Sequence, residues 1–150
     1  MAAWETESRS WGGLIQPLSS HAKRVLCLDA IGLCLTWFRP APGEGPAARL
    51  ARRVLDRLRR QVDDFSDKPY EEFLDDLRAL RESDDCPAVA SIVTALTQYA
   101  DAVPVGLDAA DVFMVMSASY EAVLHAERGN QTLAHLIIAQ RDLIEAVALA

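Results

Sequence analysis

Residues 116 to 130 read MSASYEAVLHAERGN, and they carry Tyr120, Glu121, His125 and Glu127 on what the spacing predicts is one helix. Phenol, carboxylate and imidazole are the groups of general acid–base chemistry. Glu121 and His125 stand four apart, so they share a helix face and resemble half of a metal site or a proton relay. A helical wheel at about 100° per residue sends that pair outward, however. The apolar arc is made by Val112, Phe113, Met116, Tyr120, Val123 and Leu124, and His125 lies nearly opposite its centre. Glu127 falls inside the arc, one turn below Val123. On the following helix Gln140 falls among Leu133, Ile137, Ile144 and Val147, with Arg141 at the edge. Burying either polar group alone costs about 1–3 kcal/mol, so Glu127 and Gln140 are expected to form a buried polar pair. An enzyme built on Tyr120, Glu127 and Gln140 requires the three side chains to meet in an open cleft.

Other chemistry leaves little trace. The histidines are His21, His125 and His135, and no HxxxH, CxxC or ExxH spacing occurs, so no metal and no cofactor is expected. Gly-rich phosphate loops and the GxSxG elbow are absent too, and no catalytic residue is assigned. The run VLCLDAIGLCLTWF (25–38) resembles the nucleophile loop of haloacid-dehalogenase-type hydrolases, with Asp29 as nucleophile and Gly32 at the turn. That family's pattern needs a second aspartate where Ile31 stands and a threonine where Leu33 stands. The competing reading is structural: Asp29, Gly32 and Thr36 form a narrow polar stripe on a central helix, and Gly32 lets a second helix approach closely. At fourteen residues the run is also shorter than the roughly twenty that cross a bilayer. Cys27 and Cys34 stand seven apart on it, about 10 Å along a helix, too far to bridge. With Cys86 they are expected to be small buried thiols. The stretch MAAWETESRSWGG has neither a basic nor an apolar leader region, so a cytoplasmic protein is expected.

The elements that must hold these residues are all helical in the pattern. Residues 1–18, with Gly12, Gly13 and Pro17, are expected as an extended N-terminal arm, and residues 19–150 as the helical domain. Ser19 or Ser20 caps a helix to about Phe38, which Pro40 ends. A second helix runs from about Ala47 to Phe65, a third over 69–82, and a fourth from Pro87 to Val103. Asp108 caps the fifth, with Asp111 completing a capping box and Leu107 and Val112 a hydrophobic staple. Gly129 is expected as its left-handed terminator and Asn130 as the cap of the sixth. Short connections between six such helices imply an all-α, single-domain antiparallel bundle.

Charge is distributed unevenly. The chain has 150 residues and a formal net charge of −7, and 51% of its residues are hydrophobic, which places it among globular domains. Residues 1–62 carry ten Lys/Arg against five Asp/Glu, and residues 63–150 carry five against seventeen. Arg49, Arg53, Arg57 and Arg60 fall on one helix face, opposite the leucines, and are the candidate phosphate-binding residues. A net acidic chain is repelled by nucleic acid and no aromatics interleave these arginines, so a solvated or ion-paired face is favoured. The acidic side is the better interaction surface. Ten carboxylates crowd residues 63–85. Among them Asp67, Glu71, Glu72, Asp75, Asp76, Glu82, Asp84 and Asp85 are the candidate partner-binding residues, able to steer a cationic protein.

The segments SASYEAVLHAERGN (117–130) and LIIAQRDLIEAV (136–147) resemble the C-terminal part of small helical immunity-type proteins, the protective partners of bacterial toxins. The resemblance implies a non-enzymatic inhibitor. Together with the acidic surface it gives the expected function, neutralisation of a basic partner protein such as a toxin or enzyme. A nucleic-acid-binding regulator using the arginine face is the alternative. The apolar face of the last helix leaves room for a homodimer, and no membrane partner is expected.

Overall fold

The computed structural model describes residues 2–37, 46–62, 75, 77–79, 82, 87–126 and 129–149. The architecture is all-α, with no strand among the described residues. Seven helices follow in order: α1 (Ala2–Ser8), α2 (Trp11–Ile15), α3 (Ser20–Trp37), α4 (Pro46–Arg60), α5 (Pro87–Ala102), α6 (Ala109–His125) and α7 (Asn130–Leu149). Asp75, residues 77–79 and Glu82 are helical as well, within the third helix expected over 69–82.

The first eighteen residues depart from the expected extended arm. They form α1 and α2, joined by a turn at Arg9–Ser10. Trp4, Ser8, Trp11 and Ile15 are all buried. Their spacing of four, three and four is the period of an amphipathic helix face, and two indoles supply enough apolar area to hold short helices that would not persist alone. Gly12 and Gly13 sit inside α2 without a positive φ, and the break comes after it, where Pro17 stands.

α3 is the hub, packing against α4, α5, α6 and α7. Leu26, Cys27, Leu28, Ala30, Ile31, Cys34 and Leu35 are buried along it, as an apolar-all-round sequence requires. Ser19 caps its start, accepting from the Ala22 N–H at 3.0 Å. The polar stripe meets α4: Arg59 Nη2 donates to Asp29 Oδ1 and to the Leu28 carbonyl, each at 3.4 Å. Arg52 Nη2 donates to the Leu35 carbonyl at 3.0 Å. A β-carbon at Gly32 would stand 2.5 Å from Arg59 Nη2 and 3.5 Å from Leu55 Cδ2, so the glycine makes room for the Arg59 guanidinium rather than for the α4 backbone. α4 ends at Arg60, with Gln61 and Val62 in a turn, earlier than the expected end at Phe65.

α5 and α6 make the most extensive helix pair, consistent with the short turn between them. The capping box is present: the Asp108 carboxylate accepts from the Asp111 N–H at 2.9 Å, and the Asp108 N–H donates to Asp111 Oδ2 at 3.1 Å. Leu107 and Val112 are buried beside it as a staple. Gly106, at φ 119°, is the left-handed residue closing α5, and its N–H donates to the Ala102 carbonyl at 2.9 Å. Gly129 does not terminate α6, which ends at His125. Its carbonyl instead accepts from the Leu133 N–H at 3.2 Å, so Gly129 occupies the N-cap position of α7 and Asn130 is the first helical residue.

Candidate functional site

The first and last helices meet at a polar contact set into an aromatic cluster. Gln140 is completely buried on α7. Its Oε1 accepts from the Trp4 indole Nε1–H at 2.8 Å, and its Nε2 donates to the Met116 carbonyl of α6 at 3.0 Å. One amide thus joins α1, α6 and α7. Around it, the Trp4 ring packs against Phe113 at a centroid distance of 4.9 Å, edge-on against Trp11 at 5.7 Å, and against Tyr120 at 6.1 Å. Offset and edge contacts of this kind suit the quadrupoles of aromatic rings. Burial pushes the Tyr120 phenol above its ordinary pKa, so it is a neutral group here.

The wheel correctly turned Gln140 and Tyr120 inward, whereas the partners found for Gln140 are Trp4 and the Met116 backbone. Glu127 lies outside the described residues. Gln140 itself is sealed in the core with both ends of its amide engaged, so it does not face an open cleft. His125 is exposed, as the wheel placed it, whereas Glu121, expected outward as well, is half-buried.

Outside the aromatic cluster, α1 and α7 border a groove of about 420 Å³. Ala3 and Glu7 line it from α1, and Tyr120 reaches it from α6. The α7 wall is Leu133, Ala134, Ile137 and Ile138. Ala3 and Glu7 are four apart and share one face of α1, while Trp4 and Ser8 turn to the core. Locking Trp4 to Gln140 therefore also fixes where Glu7 stands. The signal in the sequence for α1 and its outward carboxylate is the helical spacing of Trp4, Ser8, Trp11 and Ile15, which competes with the loop preference of Gly12, Gly13 and Pro17.

Two charged surfaces complete the candidates. Asp75 and Glu82 are exposed, and Asp75, with 85% of its side chain exposed, is only 3.8 Å from Arg78 in a loose pair. Asp67, Glu71, Glu72, Asp76, Asp84 and Asp85 lie outside the described residues. On α4, Arg49, Arg53 and Arg60 are exposed and Arg57 is half-buried. Their helix neighbours Arg52 and Arg59 turn instead to α3, so only part of the arginine set faces outward.

Among the described residues no cluster of three His, Cys, Asp or Glu is placed to hold a metal ion. Cys27 and Cys34 are buried, and burial pushes the Cys34 thiol up to about 12 and the Cys27 thiol higher still. Both are protonated and unreactive at neutral pH. Cys86 lies outside the described residues. No described helix is long and apolar enough to cross a membrane. No protein-family model, no curated protein and no solved structure matches the chain.

Proposed function

We propose that this chain is a non-enzymatic binding protein of the immunity or inhibitor type, which neutralises a basic protein partner in the bacterial cytoplasm through its acidic surface. The observation that carries the reading is the density of carboxylates, ten within residues 63–85, of which the two described, Asp75 and Glu82, are both exposed. A single-domain antiparallel bundle is the scaffold we infer for it. Exposed surface carboxylates contribute little to stability but shape the field a partner meets, raising the association rate and penalising acidic competitors. The resemblance of residues 117–147 to immunity-type proteins supports the same reading. Its test is calorimetric titration with the product of the adjacent gene, at low and physiological salt. A complex weakened by salt and by Asp75→Lys with Glu82→Lys supports the reading; no complex, or one indifferent to both changes, sinks it.

A second reading draws on the exposed Arg49, Arg53 and Arg60 with half-buried Arg57. It makes the chain a nucleic-acid-binding regulator whose α4 grips phosphate. A mobility shift of duplex DNA or RNA that falls with salt and is lost in Arg53→Ala, Arg57→Ala, Arg60→Ala would favour it. No shift at low salt removes it.

A further inference from the structure

We propose that the groove between α1 and α7 is a binding site for a small apolar amine, with its hydrocarbon body against α7 and its ammonium group on the Glu7 carboxylate. The groove's volume of about 420 Å³ lies within the range that small-molecule sites occupy, roughly 300–1,000 Å³. Its walls are apolar. Leu133 and Ile137 are nearly buried, while Ile138 remains 57% exposed, so apolar surface is left for a ligand to cover. Ala3 and Ala134, on opposite walls, keep the space open because neither side chain fills it.

The class of ligand follows from the ionisable groups. Among the described residues Glu7 and Tyr120 are the only ones lining the groove, and Tyr120 is uncharged at neutral pH. Glu7 is exposed at the groove's edge, so an anion seated against the apolar walls would meet its repulsion, reduced but not removed by solvent. A neutral hydrocarbon would gain burial but leave the carboxylate facing apolar surface. A cation with an apolar body satisfies both, and the chain's net charge of −7 adds to its attraction. Among the described residues Glu7 forms no ion pair that the ligand would have to displace. The Trp4–Gln140 hydrogen bond holds α1 against α7, so the helix that carries Glu7 does not have to be docked on binding.

The site is independent of the acidic segment. Phenylbutylamine, phenylbutanol and phenylbutyrate share one apolar body and differ in charge, and each is titrated into the full chain by calorimetry with amide chemical shifts recorded. The amine is expected to bind about three- to fivefold more tightly than the other two, the discrimination an exposed ion pair supplies, with shifts at Glu7, Ala134 and Ile138. Glu7→Gln should bring the amine down to the alcohol's affinity while thermal stability holds. Ala134→Trp should weaken the amine by filling the groove; should that variant fail to fold, Ala3→Leu narrows the groove from the other wall. Equal affinity of the three probes, no binding at millimolar concentration, or an amine advantage that survives Glu7→Gln would overturn the proposal.

Discussion

The Trp4 indole N–H donates to Gln140 Oε1 across 2.8 Å, although 136 residues separate the two. This bond brings the first helix onto the last, and with the Met116 carbonyl it satisfies both ends of a glutamine that has no access to water. The aromatic cluster and the groove beside it both depend on that docking.

Gln140→Leu leaves the Trp4 N–H buried without an acceptor and should cost about 1–3 kcal/mol in urea unfolding. Trp4→Phe removes the donor instead and leaves the amide oxygen of Gln140 unpaired. The double variant should therefore be less damaging than the sum of the two single changes. Additive costs would show that the bond contributes nothing of its own.

Two glycines should respond oppositely to alanine. Gly13 lies in α2 with open space where a β-carbon would go and no positive φ, so Gly13→Ala should stabilise by about 0.4–1 kcal/mol. Gly106 holds φ 119°, which alanine adopts only under strain, so Gly106→Ala should destabilise by at least about 1 kcal/mol. Thermal denaturation of both variants checks the signs.

Asp108 and Asp29 should contribute to pH dependence with opposite signs. The Asp108 carboxyl is held below its ordinary pKa chiefly by the hydrogen bond it accepts from the Asp111 backbone N–H, so its stabilisation is present above the unfolded value of about 3.9 and is lost as pH falls through the lower folded value. Asp29 is pushed up by burial, which the facing Arg59 only partly offsets. The fold therefore gains stability at Asp29 as pH falls through its raised folded value. In melting curves between about pH 2 and 6, the advantage of wild type over Asp108→Ala should shrink on acidification, and its standing relative to Asp29→Asn should improve. Parallel curves would contradict both assignments.

Cys27 and Cys34 should be silent toward thiol reagents. In a Cys86→Ser variant, labelling at about pH 8 should follow unfolding rather than thiolate formation, because burial holds both thiols protonated. A rapidly labelled thiol in the native state would show that α3 opens locally.

Much of the fold was legible because caps and periodicity are local. Asp108 with Asp111, and Ser19, appear in the structure as the caps their spacing implied, and Asp29 faces a second helix. Contacts distant in sequence were harder to read. A wheel shows that Gln140 points inward, but nothing near residue 140 names Trp4 as its partner. Likewise α4 alone does not tell which arginines face solvent, since the Asp29 carboxylate and the Leu35 carbonyl on α3 draw Arg59 and Arg52 away. The N-terminal helices were misread for another reason. Trp4, Ser8, Trp11 and Ile15 carry a helical period, but the glycine pair pointed to a loop, and two buried indoles outweighed that preference.

The most direct test of the account is titration of the wild-type chain, and of the Asp75→Lys, Glu82→Lys variant, with the protein encoded by the adjacent gene. The acidic-surface reading predicts a complex whose affinity falls by about tenfold or more on charge reversal, with most of the change in the association rate at low salt. A complex of equal affinity with both forms, or none with either, would contradict it.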